Sequence, residues 1–218
     1  MYEQRASESA LANCMWRARA TRDGNFTDPA SERWSLNFVR QQNGIMTVEI
    51  YGPSTSPRVL NWRKGETYWG IDFNAYVLMP GFNKEQITGV HLTLPVTDGE
   101  FEIGVHRIKV ADYEHLEQLV DGMQTAGVLT ESSLVHRVLA GKTSGTSERN
   151  RQRQVRRVTG LSQKQILQVR RARYAEELLR DGYLPAEVAQ LAGYADQPHM
   201  TRAIKQTMGK TPGQIVRE

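Results

Sequence analysis

The sequence predicts an α+β protein: a β-rich N-terminal domain with the character of a sandwich or small barrel, followed by an all-α domain. Three observations carry this reading. Apolar and polar residues alternate with period two in short runs between Trp34 and about Val110. From Asp112 onward the apolar spacing becomes that of helices. The charge also divides: residues 141–218 hold 15 Lys and Arg against 7 Asp and Glu, net +8, whereas residues 1–140 hold 13 against 17, net −4. A basic module joined to a mildly acidic one points to a polyanion partner at one end and a different task at the other.

Composition narrows the class. A chain of 218 residues accommodates two small domains, and 39% hydrophobic with 24% charged residues fits a soluble globular protein. No apolar run approaches the roughly 18 residues of a membrane span, so no membrane partner is expected. The first twenty residues lack the uninterrupted apolar core of a secretory signal. Cys14 is the single cysteine, which excludes an internal disulfide and makes a reducing cytoplasm the expected setting.

Residues 1–30 read as a loosely held arm. Leu11 to Arg19 could form one short helix, and Gly24 and Pro29 break any regular element after it. Residues 31–125 read as a β-rich sensor or regulatory domain with a trailing helix. Its expected strands are Trp34–Phe38, Ile45–Tyr51, Arg58–Trp62, Tyr68–Phe73, His91–Leu94 and Phe101–Val110, separated by Gly and Pro at short spacing. No long helical pattern lies between them, which disfavours parallel α/β architecture. Leu116, Leu119, Val120 and Met123 then recur at helical spacing until Gly127. The domain boundary falls between Val110 and Ser132, and residues 131–218 form the α-domain.

Within that domain, Leu184 to Ile215 is the clearest segment. Pro185 suits a first helical turn, where its missing N–H is no loss. Val188, Ala189, Leu191 and Ala192 make an apolar stripe, and Gly193 fits a left-handed closing position. Asp196 can cap the next helix. There Met200, Ala203, Ile204 and Met208 fall on one face, with Pro198, Thr201, Arg202, Lys205 and Gln206 largely on the other. Gly209 and Pro212 stop it. Two short helices, a tight turn and an acid-free outer face match a helix-turn-helix, whose second helix enters the major groove; an ordinary helical hairpin is the competing reading.

Upstream, Ser162 to Gln165 is a capping-box pattern with Leu161 and Ile166 as a hydrophobic staple. It opens a helix of about 18 residues, roughly 27 Å long. Before it, Ser147 caps a helix to Thr159 bearing Arg149, Arg151, Arg153, Arg156 and Arg157, with only Val155 and Val158 as an apolar edge. Arginines so crowded repel one another unless a polyanion neutralises them. Leu134, Val135, Val138 and Leu139 mark a preceding short helix, and Ala140 to Thr146 the turn, so a second helix-turn-helix can be drawn.

The run from Arg171 to Leu179, then Gly182, Val188 to Lys205, and Gly209 to Pro212 resembles the AraC/XylS family of transcription regulators. Ser147 to Arg149, Gln152, Arg153 and Thr159-Gly160 resemble that family's first recognition helix and its exit. The likeness covers about Ser132 to Glu218. It implies seven helices, two helix-turn-helix units joined by a long helix, and a bacterial, cytoplasmic activator or repressor. It implies base-facing Arg149, Gln152 and Arg153 in the first unit, and Gln197, His199, Thr201 and Arg202 in the second. Arg157 and Lys205 are assigned to phosphates. Arg151 stands where the family has an apolar residue, and Val155 where a larger one is common. The N-terminal half resembles, less specifically, the β-rich (half-cupin-like) sensor domains of such regulators, and Trp62, Tyr68, Trp69, Phe73 and Tyr76 are candidates to line an effector pocket. The implied partners are double-stranded DNA, a small-molecule effector, RNA polymerase and a second copy of the chain. No cofactor, metal or catalytic residue is expected.

Other classes fit less well. A cupin-like metal enzyme needs converging ligands, yet His91, His106, His115, His136 and His199 contain no close His-x-His pair; His91 and His106 with Glu100 or Glu102 are the remaining candidates. A methyltransferase would need a supported nucleophile, and Cys14 lies in a mixed segment. No phosphate-binding or dinucleotide motif is present. A nonspecific architectural nucleic-acid binder would account for the charge but not for two well-formed recognition helices.

Overall fold

The computed structural model describes residues 2–80, 82–142, 145 and 147–217. Of the expected turn from Ala140 to Thr146, Thr143, Ser144 and Thr146 lie outside these residues. So do Met1 and Glu218, the outer ends of the expected arm and α-domain.

The architecture is α+β, as the periodicities predict. Twelve strands are described: β1 (Tyr2–Ala6), β2 (Ala12–Arg19), β3 (Gly24–Asp28), β4 (Trp34–Arg40), β5 (Met46–Tyr51), β6 (Arg58–Trp62), β7 (Thr67–Phe73), β8 (Val77–Leu78), β9 (His91–Pro95), β10 (Glu100–Ile103), β11 (His106–Lys109) and β12 (Thr130–Glu131). Six of them form one antiparallel sheet in the order β1-β2-β7-β4-β5-β9. The pairs β3–β6, β10–β11 and β8–β12 stand beside it.

Residues 2–28 are not a loose arm. The spacing of Leu11–Arg19 predicts a helix, but Ala12–Arg19 is strand β2, paired between β1 and β7 with Cys14 and Met15 buried. The physical cause is a register irregularity between Ala12 and Cys14. A bulge of this kind breaks the period-two alternation that marks a strand in sequence. The expected strand Phe101–Val110 is a hairpin, β10 and β11, reversing at Gly104 (φ 60°) with Val105 94% exposed at its tip.

The sheet's core centres on Trp34, Phe38, Ile50, Ile71 and Phe73. Trp34 and Phe73 stack at 4.3 Å, and Phe101 meets Phe38 edge-on at 5.9 Å. Helix α1 (Leu116–Thr125) closes this core with Leu116, Val120 and Met123.

Six further helices follow among the described residues: α2 (Ser133–Leu139), α3 (Glu148–Thr159), α4 (Gln163–Arg180), α5 (Pro185–Leu191), α6 (Gln197–Met208) and α7 (Pro212–Ile215). They build two small cores. Val135, Val138, Val155, Val158, Leu161 and Ile166 form the first, against which Tyr76 and Leu78 of the N-terminal domain pack. Ala172, Ala175, Leu178, Leu179, Val188, Ala189, Met200, Ile204 and Met208 are the body of the second. Helix α4 contributes to both, so it acts as the strut between them. Leu191, expected in the α5 stripe, is 53% exposed; Tyr194 is buried in the second core instead.

Candidate nucleic-acid interface

Local chemistry fixes both recognition helices. The Ser147 hydroxyl accepts from the Asn150 N–H and starts α3, and Gly160 (φ 77°) ends it in the left-handed conformation. The Asp196 carboxylate accepts from the His199 N–H at 2.6 Å and starts α6, and Gly209 (φ 75°) ends it. The strut α4 opens with the expected capping box: Gln165 accepts from the Ser162 N–H at 2.8 Å, and Ser162 accepts from the Gln165 N–H at 3.2 Å.

Each helix turns one stripe inward and one outward. On α3, Val155, Val158 and Thr159 are buried, whereas Arg149, Gln152, Arg153, Arg156 and Arg157 are exposed or partly exposed. On α6, Met200, Ile204 and Met208 are buried, whereas Gln197, Arg202, Lys205 and Gln206 are exposed. His199 and Thr201 lie at the margin between these stripes, His199 standing edge-on to Tyr194 at 5.3 Å. Arg202 is thus free of the rest of the molecule's core, as a base-reading side chain requires.

Some outward side chains are engaged within their own helix. Gln152 donates to Glu148 at 2.8 Å, and Arg153 to Asn150 at 3.2 Å. Arg151, at the position where an apolar residue was expected, is half-buried and pairs with Glu148. Val155 is fully buried and contributes to the first unit's core. The exposed contacts of Gln152 and Arg153 hold these side chains only weakly, about 0–1 kcal/mol each, so both remain available to an outside partner.

The opposite ends of the two recognition helices are docked. At the exit of α3, the Thr88 hydroxyl lies 3.0 Å from the Lys84 carbonyl and 3.3 Å from the Gly160 carbonyl, and Arg156 pairs with Glu85 at 3.1 Å. At the exit of α6, the Ala30 N–H donates to the Thr207 carbonyl at 2.8 Å. A Cβ at Gly209 would lie 2.8 Å from Thr27 and 3.2 Å from Pro57, so the approach there depends on glycine. Between these ends Arg170 of α4 pairs with Glu32 at 2.9 Å and donates to the Leu139 carbonyl at 3.0 Å. Arg173 donates to the Ala30 carbonyl at 3.1 Å.

These domain-joining residues are invisible to sequence patterning. Glu32 and Arg170 are 138 positions apart. A signal exists in α4 alone, where two arginines three residues apart sit on neither apolar stripe.

The five aromatic candidates for an effector pocket take separate places in the packing, and none lines the surface cleft beside β9. Trp69 and Phe73 are buried in the sheet core, and the Trp69 indole donates to the Ala111 carbonyl at 2.8 Å. Trp62 covers Gly24, the Tyr68 hydroxyl bonds Glu66, and Tyr76 stacks on His136 at 4.1 Å. A separate surface cleft of about 540 Å³ lies along β9, β10 and β11, with Leu94, Thr97, Glu100, Phe101 and Arg107 in its walls. Among the described residues no group of three His, Cys, Asp or Glu side chains could hold a metal ion, so His91, His106, Glu100 and Glu102 do not make a cupin-like centre there. No helix of the described residues is long and apolar enough to cross a membrane.

A helix-turn-helix domain family matches residues 141–218. A search of curated proteins gives no match. Among solved structures the chain is similar to ToxT from Vibrio cholerae, at 10% identity and TM-score 0.44, covering 99% of this chain and 98% of that one. Two further ToxT structures behave alike. The one bound to (E)-4-(8-methylnaphthalen-1-yl)but-3-enoic acid gives 10% identity, TM-score 0.45 and coverage of 99% and 98%. The one bound to unsaturated fatty acid gives 9%, 0.44, and 99% and 94%. With the motif spacing and the paired capped helices on one strut in agreement with that match, residues 141–218 of this chain form a helix-turn-helix domain similar to those of AraC-type regulators.

Proposed function

We propose that the chain is a sequence-specific DNA-binding transcription regulator that reads two adjacent major-groove segments, one with each helix-turn-helix unit. One observation supports this above the others. Both recognition helices present exposed polar outer stripes, strongly basic on α3 and mixed on α6, while their C-terminal ends are docked on the N-terminal domain. Helix-turn-helix units read base edges with the N-terminal part of the second helix. Arg149, Gln152, Arg153, Gln197, His199, Thr201 and Arg202 are assigned to bases, and Arg157 and Lys205 to phosphates.

In this reading the N-terminal domain adjusts DNA binding through a small effector, through a second copy of the chain or through RNA polymerase. The reading is supported by its contacts with both units and with the strut. The chain acts without catalysis and in the cytoplasm.

The test is selection of duplexes from a random pool, followed by two variants. Arg202→Ala is expected to cost about 1–3 kcal/mol and to relax preference at one base pair. Lys205→Ala is expected to weaken all duplexes alike and to lower the salt slope by about one. An unchanged base preference in the Arg202 variant would remove that residue from the reading surface. Equal affinity for selected and random duplexes would leave only an architectural binder.

A further inference from the structure

The N-terminal domain touches both recognition helices at their closing ends, and it touches the strut between them. The central contact is Glu32. It lies in the loop joining β3 to β4, is 5% exposed, and accepts from Arg170 of α4 at 2.9 Å. Burial alone would raise its carboxyl's pKa, but the charge of Arg173, the hydrogen bond from Arg170, a backbone hydrogen bond and the charge of Arg170 together outweigh burial and hold it below the usual carboxylate value. The carboxylate is therefore charged, enclosed and opposed by two guanidinium groups one helical turn apart. Its Oε2 has no hydrogen-bond partner among the described residues, so charge attraction to α4, rather than a saturated hydrogen-bond set, holds it.

The geometry around Glu32 joins four parts of the molecule. Arg170 bonds both Glu32 and the Leu139 carbonyl at the end of α2, which ties the strut to the first unit. Ala30, two residues before Glu32, donates to Thr207 at the end of α6 and accepts from Arg173. A three-residue stretch of one loop thus meets the strut, the second recognition helix and, through Arg170, the first unit. The first recognition helix has its own abutment at Glu85 and Thr88.

Two binding units on one chain gain from each other only if their relative placement matches the two sites on the duplex. One inserted base pair moves a site along the axis by about 3.4 Å and around it by about 35°. A rigid pair rejects that shift, whereas a loosely coupled pair adapts to it. We infer that Glu32 is a positioning residue for operator spacing: its pairing with Arg170, beside the Arg173–Ala30 bond, locks the two recognition helices into one separation and angle, so that the N-terminal domain sets which spacing of half-segments is read.

This rests on the proposed function, and the experiment separates the two. The full chain and its Glu32→Gln variant are each used to select from a pool in which the gap between two half-segments is randomised. The wild type is expected to enrich one gap, with a loss on the order of 10²-fold for one inserted base pair. The Glu32→Gln variant is expected to accept neighbouring gaps with a loss below about tenfold, while its affinity for each isolated half-segment stays at the wild-type value. A double variant at the other abutment, E85Q with T88V, touches neither Glu32 nor the α4 arginines and is expected to broaden the gap likewise. If both variants keep the wild-type gap, or weaken all duplexes by one common factor, the positioning role is overturned. A wild-type pool without an enriched two-part site overturns the proposed function itself, and the positioning role with it.

Discussion

Replacing Ile204 by Ala is expected to destabilise the second helix-turn-helix unit by about 2–5 kcal/mol and to abolish specific DNA binding. Ile204 is fully buried beside Met200 and Met208, on the inner stripe of the helix whose outer stripe carries Arg202 and Lys205. The core it fills is small and leans on alanines: Ala172, Ala175, Ala189 and Ala192 let the helices approach closely. A cavity there cannot be refilled by a larger neighbour without moving a helix, so the loss belongs in the upper part of the range. The readout can be localised because Trp16, Trp34, Trp62 and Trp69 are the four tryptophans and all lie in the N-terminal half. In the Ile204→Ala variant the helical circular-dichroism signal should melt at a lower temperature than tryptophan fluorescence, which reports on the sheet. Coincident melting of the two signals would show that the second core and the sheet core unfold as one unit. Arg202→Ala, by contrast, should leave both melts in place and change only base preference, because its side chain is exposed.

Legibility in the sequence tracks the reach of the interactions involved. Ser132, Ser147, Ser162 and Asp196 each accept from an N–H three residues on, and Gly160, Gly193 and Gly209 all take positive φ. Such caps are encoded within a few residues, and the helices of the C-terminal domain can be drawn from them. The strand β2 cannot. Leu11 and Met15 sit four apart, as on a helix face, and the irregularity after Ala12 puts the adjacent residues Cys14 and Met15 both out of solvent. The Glu32–Arg170 contact is equally illegible, since nothing near either residue states its partner. The base-facing candidates are legible because a helix's outer stripe is a local property. The effector aromatics are read from composition, and packing distributes them among the sheet core, the β3–β6 pair and the domain boundary. The reading heads are thus written locally, whereas the frame that holds them depends on contacts between distant segments.

Part of that frame is Lys84, and its titration supplies the second large effect. Lys84 is 2% exposed, and its ammonium nitrogen lies 3.3 Å from the Ala75 carbonyl, closer still to the Val77 carbonyl, and 5.3 Å from the Trp34 ring centre. Burial lowers its pKa well below the ordinary lysine value of 10.5, and neither hydrogen-bond partner is a carboxylate. The native amine thus binds a proton less readily than the unfolded one. Between the native pKa and 10.5 the unfolded state carries the extra proton, so stability rises with pH and is lost as pH falls. The slope for one proton is about 1.4 kcal/mol per pH unit. Denaturant titrations of the wild type and of Lys84→Met at several pH values up to about 10 isolate it, because the remaining titrating groups are common to both chains. The variant should lack the rise, so the stability difference, wild type minus variant, should grow with pH at up to that slope. Its offset is a different matter: the Ala75 carbonyl loses a donor, at about 1–3 kcal/mol, while Val77 keeps the Trp34 indole at 3.1 Å. A constant offset is therefore compatible with either protonation state, and only the slope tells them apart. Parallel pH profiles would mean that the buried nitrogen remains an ammonium in the native protein. The turn at Lys84–Ile87 would then be held to the Ala75–Val77 segment by a charge rather than by a neutral donor.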